Sequence, residues 1–368
     1  MEQQTKGKMS SQETVGVLRY KYLPKPEFEA RMNSLLELSG NNAKEIEKDK
    51  EAFWKIVHTQ PINSIRCNTL KIQPNELKHK LEKDNNWKIS QPYKDYPEIM
   101  IIETALMPGE LGRSKEHLLG YYYVQEISSM LPMLALKPTE EDSLVDVCAS
   151  PGSKTTQAAA IMNNKGNIIA NDNNFGRLII LASNLEKCGV SNTITTKRDG
   201  VQFCKSLKKM NFNVDKILID APCSGEGTLR SSPSTFIIWN LKIVQNLSML
   251  QKALASSALE CLKEDGEMIY STCTHAPEEN EEIVQYLLDN YDIQIEQIKL
   301  PLKTRPGITS WNNKTFSDEL KKAIRIYPQD NNTEGFFLCK IKKLSNKKKN
   351  DKNEINNKKK IEDDEEDE

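Results

Sequence analysis

The sequence contains 368 residues, of which 38% are hydrophobic, and its formal net charge at pH 7 is −1. This length exceeds one typical domain, so we expect a large catalytic domain with a smaller accessory domain. No apolar run approaches the roughly 18 residues of a membrane-spanning helix, and the first residues lack the apolar stretch of a signal peptide. We therefore expect an intracellular protein, in the nucleus or the cytoplasm, without a membrane partner.

Cysteine and histidine usage argues against a metal site. The eight cysteines form no C-x-x-C pair, and the four histidines never stand at the spacing of metal ligands. We expect no metal cofactor, and most of the thiols are expected to be reduced and buried.

The N-terminal third predicts a small α+β unit after a polar, disordered segment over residues 1–15. The predicted elements are two amphipathic helices over 26–58, a strand over 65–72, a helix that begins at Pro74 and a strand over 98–104. We assign residues 16–118 to this N-terminal module.

From residue 119 the pattern changes to short apolar strands that alternate with helices. The seven expected strands are residues 144–148, 167–172, 192–197, 214–220, 267–271, 293–298 and 335–341. This alternation predicts an α/β domain of Rossmann-like fold over 119–344, with a mostly parallel sheet that is covered on both faces.

The last segment, residues 345–368, holds seven Lys and nine Asp or Glu. It has too little apolar surface to fold, so we expect a disordered tail, either simply solvated or used for nuclear import or partner binding. Without it the net charge is +1, and this balance neither favours nor excludes a nucleic acid, because a basic cleft can exist on a neutral protein.

A loop after the first strand of the domain has the features of a ligand-binding turn. The chain leaves the strand at Cys148, turns at Pro151 and Gly152, and enters a helix at Ser153 or Lys154. Such a turn brings backbone close to a ligand and points the first amides of a helix at it. The loop matches neither the G-x-G-x-x-G nor the P-loop pattern, so a purely structural turn is the alternative.

Three acids follow successive strands, namely Asp172, Asp199 and Asp220. The carboxyl ends of parallel strands meet at one edge of a sheet, where ligands of such folds bind. We expect Asp172 to accept hydrogen bonds from ribose hydroxyls and Asp199 to contact an adenine amino group. For each acid taken singly, a helix N-cap is the alternative.

Two cysteines also lie just past strand ends, Cys223 in the run 220–225 and Cys273 in the run 270–274. Carbon 5 of cytosine is a poor nucleophile, and its methylation requires a thiolate to add to carbon 6. Either cysteine could supply it, with Lys154 or a helix N-terminus lowering its pKa and Asp220 contacting ring nitrogen 3. The alternative is a pair of ordinary buried thiols. For His275 we expect a capping or surface role rather than that of a base.

These motifs make the chain similar to the Sun/Nol/Nop family of S-adenosylmethionine-dependent RNA cytosine-5 methyltransferases, over about residues 60–342. The resemblance implies that Cys273 is the nucleophile and that Cys223 assists product release. The cytosine-5 methyltransferases that act on DNA use the cysteine of a Pro-Cys motif that Gln usually follows, whereas Ser224 follows here.

The resemblance further implies a cofactor, S-adenosyl-L-methionine, and residues that contact it. These are Cys148, Ala149, Ser150, Pro151, Gly152, Ser153, Lys154, Asp172, Asp199 and Asp220, with Lys154 also near the target base. The N-terminal module resembles the RNA-binding module of the family, in which Arg66 and Lys71 would meet phosphates. An Arg66 paired to an acid is the alternative. Two positions depart from common family patterns, Ser153 for Gly and Gln329 for His.

The resulting hypothesis is a monomeric enzyme that flips a cytidine out of structured RNA and methylates it. We expect tRNA as the substrate, because the chain resembles the compact archaeal members of the family. Ribosomal RNA is the alternative substrate, and a non-catalytic RNA-binding assembly factor with the same fold is the alternative of a different class.

Overall fold

The computed structural model describes residues 22–38 and 42–349, so the disorder expected at residues 1–15 and in most of the tail lies outside the described residues. The first two elements are α1 (Pro26–Glu37) and α2 (Ala43–Val57). Pro26 suits the first position of α1, and the Asn42 side chain caps α2 by accepting from the amide of Glu45.

Both helices pack on the catalytic domain rather than on the N-terminal module. Phe28 of α1 and Phe53 of α2 are fully buried in the same core as Trp239 and Tyr270. The ring of Phe28 meets that of Trp239 edge-on at 5.1 Å between centroids. Amphipathic spacing predicted these helices, but the surface that covers their apolar face comes from residues about 200 positions away.

The N-terminal module itself is built on a four-stranded antiparallel sheet of order β2-β3-β1-β4. Its elements are β1 (Asn63–Cys67), α3 (Pro74–Asn85), β2 (Ile89–Ser90), β3 (Ile99–Ile102), α4 (Glu110–Arg113), α5 (Lys115–Leu118) and β4 (Tyr122–Val124). Strand β4 lies beyond the predicted boundary at residue 118 and pairs with β1. The module therefore runs from about residue 63 to 124, and helices α1 and α2 are not part of it.

The catalytic domain contains a nine-stranded sheet within the described part of the chain. Its first half consists of α6 (Ile127–Leu136), β5 (Ser143–Asp146), α7 (Ser153–Ile161), β6 (Asn167–Asn171), α8 (Phe175–Cys188), β7 (Thr193–Thr196), α9 (Gly200–Lys209), β8 (Val214–Asp220) and α10 (Thr235–Ile238). Its second half consists of α11 (Leu241–Cys261), β9 (Leu262–Thr272), α12 (Glu281–Asn290), β10 (Tyr291–Glu296), β11 (Arg305–Pro306), β12 (Ser310–Trp311), β13 (Lys314–Thr315), a 3-10 helix (Asp318–Lys322), β14 (Ile324–Ile326), α13 (Pro328–Asn331) and β15 (Phe336–Lys348).

The order of the strands defines where a ligand can bind. The order is β11-β14-β15-β9-β8-β5-β6-β7, and β10 pairs with β15. Strands β7, β6, β5, β8 and β9 are parallel neighbours, and β15 joins β9 antiparallel. The chain leaves β5 towards β6 on one side and returns to β8 on the other. This reversal of strand order opens a crevice at the carboxyl ends of β5 and β8.

All seven strands predicted for this domain are present, with ends shifted by a few residues. Strands β11 and β14 were not predicted, because two or three residues are too few to show an alternating pattern. Strand β15 reaches Lys348, four residues into the segment expected to be disordered, and pairs there with β10. The composition of residues 345–348 does not predict a strand, and pairing with β10 stabilises the end of β15.

Candidate active site

Two cavities meet at the carboxyl ends of β5, β8 and β9. One, of about 470 Å³, opens between the N-terminal module and the loop of residues 148–154, which we call the cofactor loop after its predicted role. We call this cavity the module-side cavity. The other, of about 360 Å³, is bounded by Leu250 and Leu254 of α11, and we call it the helix-side cavity. Four residues line both cavities, namely Cys148, Ser150, Asp220 and Cys273. A group bound in one cavity therefore meets a group bound in the other at these residues.

The helix-side cavity holds the three strand-end acids. Asp172 is buried, with Oδ1 accepting from the Asn174 amide at 2.9 Å. Asp199 is exposed and acts as the N-cap of α9, accepting from the Gln202 amide at 3.0 Å, and it lines the cavity as well. Asp199 can therefore cap α9 and face a ligand at the same time, because a carboxylate has more acceptor sites than one amide occupies.

The predicted loop residues divide between the two cavities. Cys148 and Ser150 line both, whereas four others line only the module-side cavity, namely Ala149, Pro151, Ser153 and Lys154. Gly152 lines neither. It has φ +103° at the start of α7, and a Cβ there would lie 2.8 Å from Leu181 Cδ1. The turn therefore requires glycine at this position, and a backbone contact of Gly152 with a ligand stays a prediction.

The helix-side cavity fits a nucleoside that carries positive charge. Its acids, Asp172, Asp199 and Asp220, suit hydroxyl and amine donors, and Leu250 and Leu254 offer an apolar surface to a flat ring. Ser150 Oγ is buried and has no hydrogen-bond partner among the described residues. A buried hydroxyl of this kind is normally satisfied, so it points to a polar ligand.

Lys154 and Asp220 form an ion pair where the cavities join. Lys154 Nζ lies 2.7 Å from Asp220 Oδ2 and 2.9 Å from Ser129 Oγ, with the side chain 8% exposed. Asp220 Oδ1 accepts from Ser271 Oγ at 2.9 Å. Helix α7 presents Lys154 and strand β8 presents Asp220, so the sheet and its first helix fix the pair in place.

Cys223 and Cys273 lie side by side. Their sulfurs are 3.1 Å apart, well beyond the roughly 2.05 Å of a disulfide, and both thiols are free. Ser224 and Thr274 share a hydrogen bond of 2.8 Å that ties the two loops together. The contact with Cys273, together with burial, raises the pKa of Cys223, so Cys223 keeps its proton and can donate it to the neighbouring sulfur.

The two thiols differ in what they face. Cys273 lines both cavities, whereas Cys223 lines only the helix-side cavity. The Cys273 carbonyl accepts from the amide of Gly227 at 2.9 Å, which holds the loop after β9 against the loop after β8. Cys273 is therefore accessible from both cavities.

Three carboxyl groups near the site, of which Asp146 and Glu334 are buried and Glu126 is half-buried, were not among the predicted site residues. Asp146 and Glu334 line the module-side cavity, and burial raises the pKa of each to about 7. Glu126 lines the same cavity, and burial raises its pKa as well. A sequence signal existed only for Asp146, which lies beside the loop of residues 148–154.

The structure corrects the predicted role of Arg66. Its side chain is buried, and its guanidinium donates to Ser153 O at 2.6 Å, to Thr156 Oγ1 at 2.8 Å and to Gln125 Oε1. Burial lowers its pKa to about 10. Arg66 therefore joins the N-terminal module to the start of α7 and cannot reach a phosphate, and its hydrogen-bond partners are neutral oxygens rather than the acid of the alternative.

Lys71 is exposed, and its Nζ donates to Lys187 O at 2.6 Å and to Leu119 O at 3.0 Å. Part of its hydrogen-bonding capacity thus satisfies one carbonyl at the end of α8 and one at the end of α5. A contact with phosphate stays a prediction.

His275 takes neither of the roles expected for it. It is buried and stacked on Tyr327, with ring centroids 4.8 Å apart, and neither ring nitrogen has a hydrogen-bond partner among the described residues. Burial lowers its pKa to about 3, so the ring stays neutral and contributes packing.

Within residues 22–38 and 42–349, no helix is long and apolar enough to cross a membrane. The same residues contain no cluster of three or more His, Cys, Asp or Glu side chains that could hold a metal ion.

Comparisons with known proteins identify the family of the chain. A family model described as 16S rRNA methyltransferase RsmB/F matches residues 133–342. The chain is 40% identical to the tRNA (cytosine(49)-C(5))-methyltransferase of Pyrococcus abyssi, over 80% of this chain and 92% of that protein. It is 37% identical to the ribosomal RNA small subunit methyltransferase F of Vibrio cholerae, over 77% of this chain, and spans 58% of that relative's length.

Solved structures confirm the Rossmann-like methyltransferase fold. A methyltransferase homologue from Pyrococcus horikoshii superposes with a TM-score of 0.71 at 30% identity, covering 87% of this chain and all of that one. The NSun6 structure from the same organism gives a TM-score of 0.74 at 23% identity, a level that speaks for the fold alone.

Proposed function

The chain belongs to the RsmB/F family of RNA methyltransferases, and from this premise we propose that it transfers a methyl group from S-adenosyl-L-methionine to carbon 5 of a cytidine in RNA. The observation that carries the proposal is the position of Cys273, which lines both cavities beside the ion pair of Lys154 and Asp220. The target base occupies the module-side cavity and the methyl donor occupies the helix-side cavity.

We propose tRNA as the substrate. The relative named for tRNA is matched over 92% of its length, whereas the relative named for ribosomal RNA carries additional sequence that this chain does not match. A ribosomal RNA substrate is the second candidate, supported by the description of the family model.

Cys273 begins the reaction as the nucleophile. Its sulfur forms a bond to carbon 6 of the base, and the electron pair of the C5–C6 double bond shifts to carbon 5, which becomes able to accept a methyl group. The base and the donor have to approach Cys273 from different sides, and the two cavities provide these two approaches. Pro61, Ile62 and Phe336 give the module-side cavity an apolar wall against which a flipped base can stack.

Lys154 meets the polar edge of the base, and Asp220 holds Lys154 in position through their ion pair. Negative charge shifts into the ring as the sulfur adds, and a buried ammonium at this edge stabilises it without reorganisation. The hydrogen bonds from Ser129 and Ser271 keep the pair in a single arrangement before substrate arrives.

Cys223 assists product release. After methyl transfer a water molecule takes the proton on carbon 5, the electron pair of that bond re-forms the C5–C6 double bond, and the C6–S bond breaks with its pair left on Cys273 as a thiolate. The Cys223 sulfur lies 3.1 Å from this leaving sulfur. Because its pKa is raised, Cys223 stays protonated and stabilises the departing thiolate by donating a hydrogen bond to it.

The methyl donor supplies an electrophilic methyl group on a positively charged sulfur. Asp172 and Asp199 are proposed to hold its hydroxyl and amine donors, and Ser150 to satisfy a further polar group. Carboxylates on this side also favour a cationic ligand over its neutral product.

The test is to incubate the full chain with methyl-labelled S-adenosyl-L-methionine and either tRNA or ribosomal RNA. Incorporated label measures transfer, and bisulfite sequencing locates the 5-methylcytidine. We expect 5-methylcytidine in tRNA and none with the Cys273→Ala variant. Label in ribosomal RNA alone would replace the proposed substrate. RNA binding without any transfer would overturn the enzymatic function in favour of an assembly factor.

A further inference from the structure

The module-side cavity contains a carboxylate that the reaction above does not use. Glu334 is buried, with 4% of its surface exposed, and lines the cavity together with Cys273, Lys154 and Phe336. Its Oε1 accepts from the backbone amide of Ser231 at 2.8 Å. Its Oε2 is buried and has no hydrogen-bond partner among the described residues.

The backbone around Glu334 is held from two sides. The Glu334 amide donates to Glu126 Oε1 at 3.1 Å. Arg230 donates to Thr333 O at 2.9 Å and to Asn332 Oδ1 at 2.8 Å, which fixes the segment that leads to it. The neighbouring Gly335 donates its amide to Gly227 O at 2.8 Å. The carboxyl group is therefore presented to the cavity in a fixed position, as a selective contact requires.

An unpaired buried acceptor in a binding cavity indicates that the ligand brings a donor. The Watson–Crick edge of cytosine carries a single donor, the exocyclic amine at carbon 4, and a flipped base is read by hydrogen bonds along that edge. Asp220, the other acid beside Cys273, is already engaged by Lys154 and Ser271. Glu334 has an oxygen left for the amine, and Asp146 Oδ1 is the other buried carboxyl oxygen of this cavity without a hydrogen-bond partner among the described residues.

We propose that Glu334 selects cytosine by accepting a hydrogen bond from its 4-amino group through Oε2, with Glu126 as the positioning residue that holds the Glu334 backbone. This inference rests on the proposed function and adds the basis of its base selectivity. Uracil places a carbonyl oxygen where cytosine has the amine, so two acceptors would face each other. A site built for a donor rejects such an analogue strongly, because a buried acceptor is left unpaired.

Asp146 is the competing candidate in the same cavity. Its Oδ2 accepts from Thr155 Oγ1 at 2.7 Å, and the Cys148 backbone also donates to its carboxyl. Its Oδ1 is buried and has no hydrogen-bond partner among the described residues, as is true of Glu334 Oε2, so an Asp146→Asn variant has to be tested beside Glu334→Gln.

The test compares binding of two RNAs in the Cys273→Ala background, in which no adduct can form. One RNA carries cytidine at the position that sequencing identifies as methylated, and the other carries the pyrimidin-2-one nucleoside, which lacks only the amino group. With Glu334 present, we expect cytidine to bind about tenfold more tightly, as for one hydrogen bond to a charged group. With Glu334→Gln, we expect this preference to disappear.

Glu226→Gln is the matched control. Glu226 is another buried carboxyl group, it accepts from Trp239 Nε1 at 2.8 Å, and it lines neither cavity. We expect its replacement to leave the cytidine preference unchanged, and thermal melting of each variant separates misfolding from lost selectivity.

Three results would overturn the inference. They are equal binding of the two RNAs when Glu334 is intact, an unchanged cytidine preference in Glu334→Gln, and loss of the preference in Asp146→Asn alone. The first needs no Glu334 variant, so it decides even if Glu334→Gln fails to fold. Failure of the proposed function is recognised separately, because the wild-type chain would then methylate no cytidine in the preceding experiment.

Discussion

Two pairs of cysteines lie in contact in this protein, and they differ in what surrounds them. Cys223 and Cys273 follow β8 and β9 and border the cavities. Cys204 of α9 and Cys261 of α11 are buried in the core. In both pairs the contact between the thiols and their burial raise a pKa, that of Cys223 in the first and that of Cys204 in the second.

The comparison shows that proximity of two sulfurs does not make a reactive site. What distinguishes the first pair is its place at the strand ends, where ligands can enter, beside a buried ammonium and a carboxylate. Chemistry at a thiol requires access and charge stabilisation. Cys204 is fully buried, and the cavity that Cys261 borders contains none of the strand-end acids and not Lys154. Four substitutions test this difference.

The largest effect is expected for Cys273→Ala. Loss of the covalent nucleophile should lower methyl transfer by at least about three orders of magnitude. Transfer of labelled methyl to RNA measures the rate, and denaturing gels should show no protein–RNA adduct. An adduct in this variant would assign the nucleophile to Cys223 instead.

Cys223→Ala should slow turnover by about a hundredfold, the usual contribution of a proton-transfer group. Because the adduct would form but not resolve, a denaturation-resistant protein–RNA complex should accumulate. Time courses on denaturing gels follow this complex. Reduced turnover without accumulation would exclude a role of Cys223 in release.

Lys154→Met should lower the rate of transfer by about a hundredfold, because a buried charge that stabilises the developing negative charge is removed. Lys216→Met is the matched control, since Lys216 is also partly buried and pairs with Glu267 at 2.6 Å, away from both cavities. Single-turnover kinetics with both variants should separate them. Similar losses in the two would indicate a general effect on the sheet.

The smallest effect on activity is expected for Cys204→Ala. The thiol is fully buried, and its loss should lower the free energy of unfolding by about 1 kcal/mol and leave turnover unchanged. Urea unfolding and methyl transfer measure the two quantities on the same preparation. A loss of turnover larger than the loss of folded protein would mean that the core pair takes part in the reaction.

Much of the candidate site could be predicted because its residues stand in short motifs at strand ends. Asp172, Asp220, Cys223 and Cys273 each follow a strand that local apolar patterning reveals, and parallel strands bring their ends together in any sheet of this class. Periodicity likewise predicted α1, α2 and seven of the nine strands in the large sheet of the catalytic domain. The chain alone therefore determined the fold class, the edge of the sheet that carries the chemistry and the family to which the protein belongs.

Burial and partners were decided only in the tertiary structure. Arginine is a residue type that often contacts phosphate. The Arg66 side chain instead donates hydrogen bonds to Ser153 and Thr156, which lie 87 and 90 positions away in the sequence. The free oxygen of Glu334 and the exposure of Cys273 to two cavities likewise depend on which distant segments meet. Local pattern encodes what a residue can do, whereas the packing of remote elements sets its solvent access and its hydrogen-bond partners, and these decide what it does.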